Sequence, residues 1–327
     1  MLPRERVIAV IEHRPADRIP YYGWVRINLE EQINARFGSV EAFEDRYAFD
    51  FAHLFGGPSP YDYARLTELR EPLGGAISPQ ALLEVPMSDP DDSAAYDDIR
   101  AQVAYHKGER ARFVYVQTPG IFEALNGCFG IENHLTYLAL YPDILPKVYA
   151  RQCAWNQRFA HNCLDLGVDM IHISDDWGSQ RGTLFSPRTW WRLIYPYHKP
   201  TCEAVKARGA YLSLHSDGNV LPLLDGIVDL GFDVVHPWQE SAGMSFDAYQ
   251  GKYAEAFVLI GGLDVQTMIG FGRLEELRAN IERVMGRFRD GGMLYCTSHF
   301  VQDHCSMDEL TFAFDHVQRT AQALATG

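Results

Sequence analysis

Several features that would place this 327-residue chain in a specialised class are missing from its sequence. No apolar run approaches the roughly 20 residues that a membrane-spanning helix needs. The charged start, residues 1–6, leads directly into a helical pattern and does not resemble a signal peptide. The six cysteines are scattered without CxxC spacing, which is typical of reduced thiols rather than of a disulfide framework. We therefore expect a soluble cytoplasmic protein, with an enzyme as the default class.

Basic residues are also scarce. Lys and Arg together number 29 against 43 Asp and Glu, which gives a net charge of −14 with histidine neutral. This balance disfavours nucleic acid and anionic membrane surfaces as partners. A heavily anionic substrate would need a local basic pocket.

Short β-rich runs alternate with helical patterns over most of the length. Eight candidate strands are Ile19–Trp24, Phe49–Leu54, Phe113–Gln117, Met170–Ser174, Tyr211–His215, Val234–Pro237, Phe257–Gly261 and Met293–Thr297. The clearest helical patterns are Leu145–Leu166, Pro187–Ala207, Leu274–Phe288 and Ser306–Ala323. Such alternation, with no evident linker, predicts an α/β fold in which residues 1–327 form a single (β/α)8 TIM barrel. A doubly wound open sheet is the alternative, but no GxGxxG follows the first strand.

The segment Gly56–Glu109 is rich in Pro, Gly and acidic residues and contains no clear strand. We interpret it as a long excursion between the second and third strands. Two roles stay open, a lid over the active site and a solvated surface insertion.

Polar side chains follow nearly every predicted strand, where the active site of a barrel lies. His215 and Asp217 end the fifth strand on the same side, because side chains alternate along a strand, and Gly218 permits a sharp turn. Together with His299 after the eighth strand, they are candidate ligands for a divalent metal such as zinc. The alternative for each histidine is a hydrogen-bonded polar residue. A non-haem iron facial triad has similar ligands, but the βα alternation argues against its usual double sheet.

Other strand-end residues are candidates for catalysis or substrate binding. We assign Asp176 as a general acid or base, with Asp175 as a cap for the following turn. The candidate substrate-binding residues are Arg26, Trp177, Gln180, Gln239, Asp264 and Gln266. Asp264 has a helix N-cap as an equally good interpretation, and core packing is the usual fate of a tryptophan. Cys296 is a reserve ligand that we expect to be a buried apolar residue.

Taken together, these segments resemble the uroporphyrinogen decarboxylase superfamily, which includes the decarboxylase and zinc-dependent corrinoid methyltransferases. The matching segments are Pro3–Val7, Asp17–Pro20, Asp175–Gly182, His215–Asn219, Gly261–Gln266, Gly291–Gly292 and Ser298–His299. The resemblance covers essentially the whole chain. It implies a (β/α)8 barrel that forms a homodimer.

Both branches of that superfamily differ from this chain at their key residues. In the methyltransferase branch, zinc binds a His-x-Cys pair and a later Cys; His215 matches the first ligand, whereas Asp217 and His299 stand where the cysteines would be. In the decarboxylase branch a late histidine matches His299. The arginine-rich signature after the first strand is absent, and Arg26 alone faces the requirement of a substrate with eight carboxylates.

The leading hypothesis is metal-dependent transfer of a methyl or other one-carbon group on a small molecule. A divalent metal on His215, Asp217 and His299 would act as a Lewis acid, and Asp176 and His299 would be the catalytic residues. A corrinoid acceptor would have to come from a partner protein. The first alternative is metal-free decarboxylation, in which His299 and Asp176 stabilise and protonate a carbanion. The second is a non-catalytic barrel that binds a small ligand or corrinoid.

Overall fold

The structure, a computed structural model, describes residues 1–70 and 75–326. Its contacts divide the chain into two compact units. The first unit consists of the described residues of Met1–His53, Tyr105–Val114 and Asp233–Gly327, and the second of those of Leu54–Ala104 and Tyr115–Phe232.

Parallel strands form the centre of the first unit. Strand β7 (Val234–His236) pairs in parallel with β8 (Val258–Leu263), and β8 pairs in parallel with β9 (Met293–Thr297). Every residue of β9 is buried, as expected for a parallel strand that is covered on both faces. Strand β1 (Phe51–Leu54), also fully buried, begins in this unit.

The first predicted strand, Ile19–Trp24, is reduced to an isolated parallel bridge between Tyr21 and Tyr295. Its backbone still follows β9, since Tyr295 donates to the Pro20 carbonyl at 2.8 Å and Tyr22 donates to the Tyr295 carbonyl at 3.0 Å. The ladder is short because Pro20 offers no N–H and the Trp24 N–H turns to the Thr297 hydroxyl oxygen, at 3.0 Å. The hydrophobic run was correctly placed beside β9, but it is not a full strand.

The second unit also contains parallel strands. Strand β2 (Phe113–Pro119), which enters this unit at Tyr115, pairs with β3 (Met170–Ser174), and β3 pairs with β6 (Tyr211–His215). A two-stranded antiparallel hairpin, β4 (Gly178–Ser179) and β5 (Gly182–Thr183), follows β3. The register aligns Pro119, Ser174 and His215, so the carboxyl ends of these three strands meet at one edge. The α/β class with parallel strands is therefore confirmed.

Helices alternate with these strands. Those of the first unit are α1 (Pro3–Ile11), α2 (Glu30–Phe37), α3 (Val40–Arg46), α13 (Phe246–Lys252), α14 (Leu274–Arg287) and α15 (Met307–Thr326), with a π-helix at Ala104–Glu109 and a 3-10 turn at Glu240–Ala242. Those of the second unit are α4 (Tyr63–Arg70), α5 (Pro79–Leu83), α6 (Asp97–Val103), α7 (Phe122–Phe129), α8 (Ile131–Leu140), α9 (Leu145–Asp165), α10 (Pro187–Leu193), α11 (Tyr195–Ala207) and α12 (Leu224–Asp229), with 3-10 turns at Ser93–Tyr96 and Leu221–Leu223.

The predicted helices are close to those observed, with one division. The pattern Pro187–Ala207 forms two helices that meet at Ile194. Pro196 explains the division, because its ring disfavours helical backbone at the preceding residue and it cannot donate a backbone hydrogen bond. Proline is accepted in the first turn of a new helix, where the N–H has no helical partner.

The predicted excursion Gly56–Glu109 is largely helical where the structure describes it; its residues 71–74 lie outside the described ranges. It contains α4, α5 and α6, and it buries Leu66, Leu82 and Ile99 completely. Helix α5 packs against α9. The segment is thus built into the second unit, and its first residues line a cavity that is described below.

Within residues 1–70 and 75–326, none of the helices combines the length and the apolar character required to cross a membrane.

Candidate active site

Polar groups collect where β3 and β6 end in the second unit. His215 is the last residue of β6 and is buried, with its Nε2 3.9 Å from Asp217 Oδ1 and 3.8 Å from Asp176 Oδ1. The Asp217 N–H donates to Asp176 Oδ1 at 2.8 Å, which holds the two acidic side chains around the same imidazole. The prediction that His215 and Asp217 share one side of the chain is confirmed.

Gly218 makes this arrangement possible in two ways. Its φ of +76° lies in the left-handed region, and a Cβ there would meet the Ser179 backbone at 2.6 Å. The Asn219 N–H donates to the Ser179 carbonyl at 2.8 Å, so the β4–β5 hairpin packs directly on the loop after β6. Gly178 on the hairpin is equally restricted, because its Cβ would lie 2.4 Å from the Asp217 carbonyl oxygen. The predicted turn at Gly218 is therefore a close backbone-to-backbone contact as well.

Asp175 is completely buried and accepts three hydrogen bonds. The donors are His198 Nε2 at 2.6 Å, Trp177 Nε1 at 2.8 Å and the Glu123 N–H at 2.6 Å. Burial opposes ionisation, but the hydrogen bond and the charge of His198 outweigh it and hold the pKa of Asp175 below its usual value. The expectation that Asp175 caps the following turn is too simple: it links β3 to α7 and α11 as a buried ionic anchor.

Asp176, the carboxylate assigned to catalysis, is half-buried with its side chain 34% exposed. This exposure agrees with the expectation that only one of the two neighbouring carboxylates reaches solvent. Its assignment as a catalytic residue stays a prediction.

A cavity of about 350 Å³ lies within the second unit. Apolar walls come mainly from the beginning of the excursion and from α9, and the polar atoms come from β2, β3 and α7. The lining residues are Phe55, Gly56, Gly57, Pro58, Ser59, Pro60, Tyr63, Gln117, Pro119, Gly120, Glu123, Ala124, Gly127, Phe159 and Ser174. Its location at the carboxyl ends of parallel strands is where ligands bind in α/β proteins.

Glu123 is the main ionisable group of this cavity. Ser174 Oγ donates to Glu123 Oε2 at 2.7 Å. Burial raises the pKa of Glu123 to about 8, and the nearby negative charges of Asp176, Asp175 and Asp217 add to the effect. Near neutral pH this side chain is accordingly a neutral acid that can donate a proton.

Glu123 and His198 were not among the residues predicted for the site. Glu123 follows β2 by four positions, so its strand-end location was a usable signal. His198 lies in the middle of a helix, and no local pattern distinguishes it from a core histidine.

Other predicted residues of the second unit have different surroundings. Trp177 is fully buried, and its ring packs against Trp190 and His198 with centroids 5.2 Å apart in both cases. Gln180 is exposed in the turn of the β4–β5 hairpin. Neither residue lines the cavity. Their roles in substrate binding stay predictions.

The first unit contains a second cavity, of about 420 Å³, between the loops after β7 and β8 and helix α14. It is lined by Gln239 and Asp264, two of the predicted substrate-binding residues. Asp264 accepts the Gln266 N–H at 2.7 Å and the Ser241 hydroxyl at 2.6 Å, so it caps the turn after β8. The Gln266 side chain is exposed.

The remaining candidates of the first unit lie near its amino-terminal segment. The Arg26 guanidinium pairs with Glu41 at 2.9 Å and with Glu44 at 3.1 Å. His299 is half-buried, and its ring centroid lies 5.7 Å from that of Trp24. Cys296 is completely buried, and burial raises its thiol pKa, as expected for an apolar role.

The donor set in the second unit fits a divalent metal by its chemistry. One imidazole nitrogen and two carboxylate oxygens within 4 Å of it are ligands that zinc and harder divalent cations accept. His215 and Asp217 are the predicted ligands among them. The third predicted ligand, His299, belongs to the first unit, and the three-ligand site stays a prediction.

The parallel strands and the strand-end acids define an α/β protein of the kind that binds ligands at the carboxyl edge of its strands. The chain belongs to the uroporphyrinogen decarboxylase family, whose model matches residues 124–320. The predicted family is thereby confirmed. No curated protein matches the chain in sequence.

Solved structures extend the likeness in fold. A methyltransferase from Methanosarcina mazei is similar over 100% of this chain and 98% of its own, with a TM-score of 0.70 and 13% identity. Endo-glycoceramidase II from Rhodococcus sp. is similar over 94% of this chain and 80% of its own, with a TM-score of 0.47 and 13% identity. A B12-independent methionine synthase from Shewanella sp. W3-18-1 covers 70% of this chain and 67% of its own, with a TM-score of 0.39 and 11% identity.

Proposed function

We propose that this protein is a metal-dependent enzyme that transfers a methyl or other one-carbon group of a small molecule. The observation that carries the proposal is the His215–Asp217 donor pair at the end of β6, with Asp176 beside the same imidazole. His299 is the third ligand that the sequence pattern adds. The fold that the chain shares with a methyltransferase supports this choice within the family. We extend the proposal to a closed (β/α)8 barrel that forms a single domain.

A divalent metal on these ligands would supply a Lewis acid that polarises a leaving oxygen or nitrogen, or activates a nucleophile. The chain's own groups have separate tasks. Asp176 holds the loop after β6 through the Asp217 N–H, and its exposed edge is available to a substrate. Glu123, protonated near neutral pH, can give a proton to a leaving group in the cavity. His198 and Trp177 keep Asp175 in position at the start of α7.

The remaining assignments follow from the family and from the sequence. We propose His299 and Asp176 as the catalytic residues, and Arg26, Trp177, Gln180, Gln239, Asp264 and Gln266 as substrate contacts. Because Asp217 and His299 replace the cysteines of the corrinoid methyltransferases, oxygen and nitrogen ligands favour a zinc-like or harder ion over thiol activation. A corrinoid, if used, would come from a partner protein. We further propose a cytoplasmic homodimer.

Metal analysis tests this function directly. The purified protein should bind about one divalent ion per chain, and His215→Ala should lose most of it, because removing one ligand of a small site weakens binding by a factor of about 10–100 or more. The exposed histidine His304 offers a matched control, since His304→Ala should keep the metal. A parent protein that binds no divalent metal after incubation with zinc, manganese or iron would remove the proposal.

Metal-free decarboxylation is a second candidate, favoured by one observation. Glu123 is a buried neutral acid in a cavity, a suitable proton donor to a carbanion formed when carbon dioxide leaves. The two functions differ in their requirement for metal. Carbon dioxide release from a substrate that continues in a chelator, and that Glu123→Gln abolishes while Glu132→Gln does not, would favour decarboxylation.

A further inference from the structure

The cavity of the second unit has an unusual charge composition. Among the described residues that line it, none is Lys or Arg, and Glu123 is the one acidic residue. Its walls are largely apolar and include the rings of Phe55, Tyr63 and Phe159. A ligand in this cavity would therefore place an apolar, ring-sized body against these walls and would find no cation to neutralise a negative charge.

The polar end of the cavity is formed by Gln117 and Glu123. Gln117 Oε1 is buried and finds no hydrogen-bond donor among the described residues. Glu123 is held by Ser174 through one carboxyl oxygen, at 2.7 Å. An unpaired buried acceptor is costly, so a ligand that supplies a donor to Gln117 gains more than the ordinary value of a hydrogen bond.

The charges around Glu123 act against a second negative group. Asp175, Asp176 and Asp217 all raise its pKa, and burial raises it further. A carboxylate placed beside them would meet the same repulsion, and the Oε1 acceptor of Gln117 could not hydrogen-bond to it. A protonated Glu123 can instead donate to a neutral acceptor.

We propose that the cavity binds its ligand through an uncharged group that both donates and accepts hydrogen bonds, namely an alcohol or a carboxamide, and rejects carboxylates. The donor of that group pairs with Gln117 Oε1 and its acceptor takes the proton side of Glu123. The inference rests on the proposed function only in taking this cavity as the substrate site. It would also exclude the polycarboxylate substrate after which the family is named.

Three probes of the same shape test the proposal by isothermal calorimetry on the full-length protein at pH 6.5. Benzamide, benzoate and benzamidinium share a ring and a planar head and differ in charge. We expect benzamide to bind at least about tenfold more tightly than benzoate or benzamidinium, since a lost buried hydrogen bond has about that effect on a dissociation constant. Tightest binding of benzoate or benzamidinium, or no detectable binding of benzamide, would overturn it.

Two variants locate the binding. Gln117→Leu should weaken benzamide by about tenfold, because it removes the acceptor at similar volume. Gln80→Leu on the exposed face of α5 should leave the affinity unchanged. Thermal unfolding of both variants checks that they fold, and Gln117→Met serves if Gln117→Leu does not. Equal benzamide affinity in the parent and a folded Gln117 variant would contradict the assignment.

These measurements need no metal and can be made in a chelator. Benzamide selectivity in a protein that binds no metal would leave this inference standing while the proposed function fails. Metal binding without the expected selectivity would do the reverse.

Discussion

Asp175 and Glu123 are buried carboxyl groups joined by one hydrogen bond, yet their acidities are shifted in opposite directions. The Asp175 carboxylate accepts from His198, Trp177 and the Glu123 backbone, which stabilises its charged form. Glu123 receives only the Ser174 hydroxyl and is surrounded by negative charge. Two acids whose environments separate their pKa values are the usual arrangement for proton-transfer chemistry.

Glu123 gives a measurable pH dependence of stability. With the folded-state pKa raised to about 8 from an ordinary 4.5, the folded chain keeps a proton that the unfolded chain loses over this range. The contribution of this group to stability is therefore greatest below pH 4.5 and falls as pH rises to about 8. Glu123→Gln removes this titration, so the variant should gain stability relative to the parent between pH 5 and 8, by at most about 1.4 kcal/mol per pH unit.

Urea unfolding of the parent, Glu123→Gln and Glu132→Gln over this pH range, in a chelator, makes the comparison. Glu132 is exposed on α8 and should show no such trend. A Glu123→Gln curve parallel to that of the parent would mean that Glu123 is ionised in the folded protein at pH 7.

At the residue scale, the sequence identified His215, Asp217 and Asp176 because their positions follow a strand. It placed no special weight on Glu123, and it could not find His198, because these depend on which helices pack beside β3. Long-range contacts of this kind leave no local pattern in a single sequence.

The β4–β5 hairpin and the loop after β6 form the element that holds the candidate ligands. Their backbones are in contact at Gly178 and Gly218, with a hydrogen bond between Asn219 and Ser179. The sequence predicted the turn at Gly218 but not the hairpin, because a pair of two-residue strands is too short to give an alternating pattern. A change at this contact should therefore affect both the fold and the metal ligands.

Gly218→Ala tests the contact against a close control. Gly218 and Gly231 have nearly the same positive φ, 76° and 78°, but a Cβ at Gly231 would meet nothing within 4 Å. Gly231→Ala should cost about 1 kcal/mol in unfolding free energy for the left-handed backbone alone. Gly218→Ala should cost about 2 kcal/mol or more, because overlap with the Ser179 backbone is added. Similar losses in the two variants, measured by urea unfolding, would argue against a tight hairpin contact.

Helix α15 shows how a local motif can be correct in part. The predicted capping box is half formed, since the Glu309 N–H donates to Ser306 Oγ at 3.2 Å. The Glu309 carboxylate accepts instead from the backbone N–H groups of Gly270, Phe271 and Gly272, at 2.9–3.2 Å. The sequence located the helix start, while the tertiary partner of the acid came from a loop that is 37 or more positions away.

At the scale of the whole molecule, the α/β class and most strands and helices followed from hydrophobic periodicity and glycine positions. The complete eighth strand did not, because Ile19–Trp24 has the composition of a strand but Pro20 cannot donate and Trp24 bonds to a side chain. The family was recognised from several short segments spread along the chain, and the match over residues 124–320 confirms it. The chemistry is the least predictable level, since Asp217 and His299 differ from the family's metal ligands.

The net charge of −14 predicts how the whole molecule responds to salt. An excess of like charge destabilises a compact chain through self-repulsion, and added salt screens it, with a Debye length that falls from about 30 Å at 0.01 M to about 10 Å at 0.1 M. We expect the Tm at pH 8 to rise by about 2 °C or more between 10 and 300 mM sodium chloride, because a gain of about 1 kcal/mol shifts Tm by that order in a large domain.

The same protein near its measured isoelectric point is the control for this salt effect. There the net repulsion vanishes while the ion pairs, such as Arg287 with Asp247 and Arg283 with Glu240, are still screened, so salt should leave Tm unchanged or lower it slightly. Potassium chloride should act like sodium chloride if screening is the cause. A Tm that falls with salt at pH 8 would mean that local ion pairs outweigh net repulsion, and that the acidic excess is distributed so that opposite charges lie closer together than like ones.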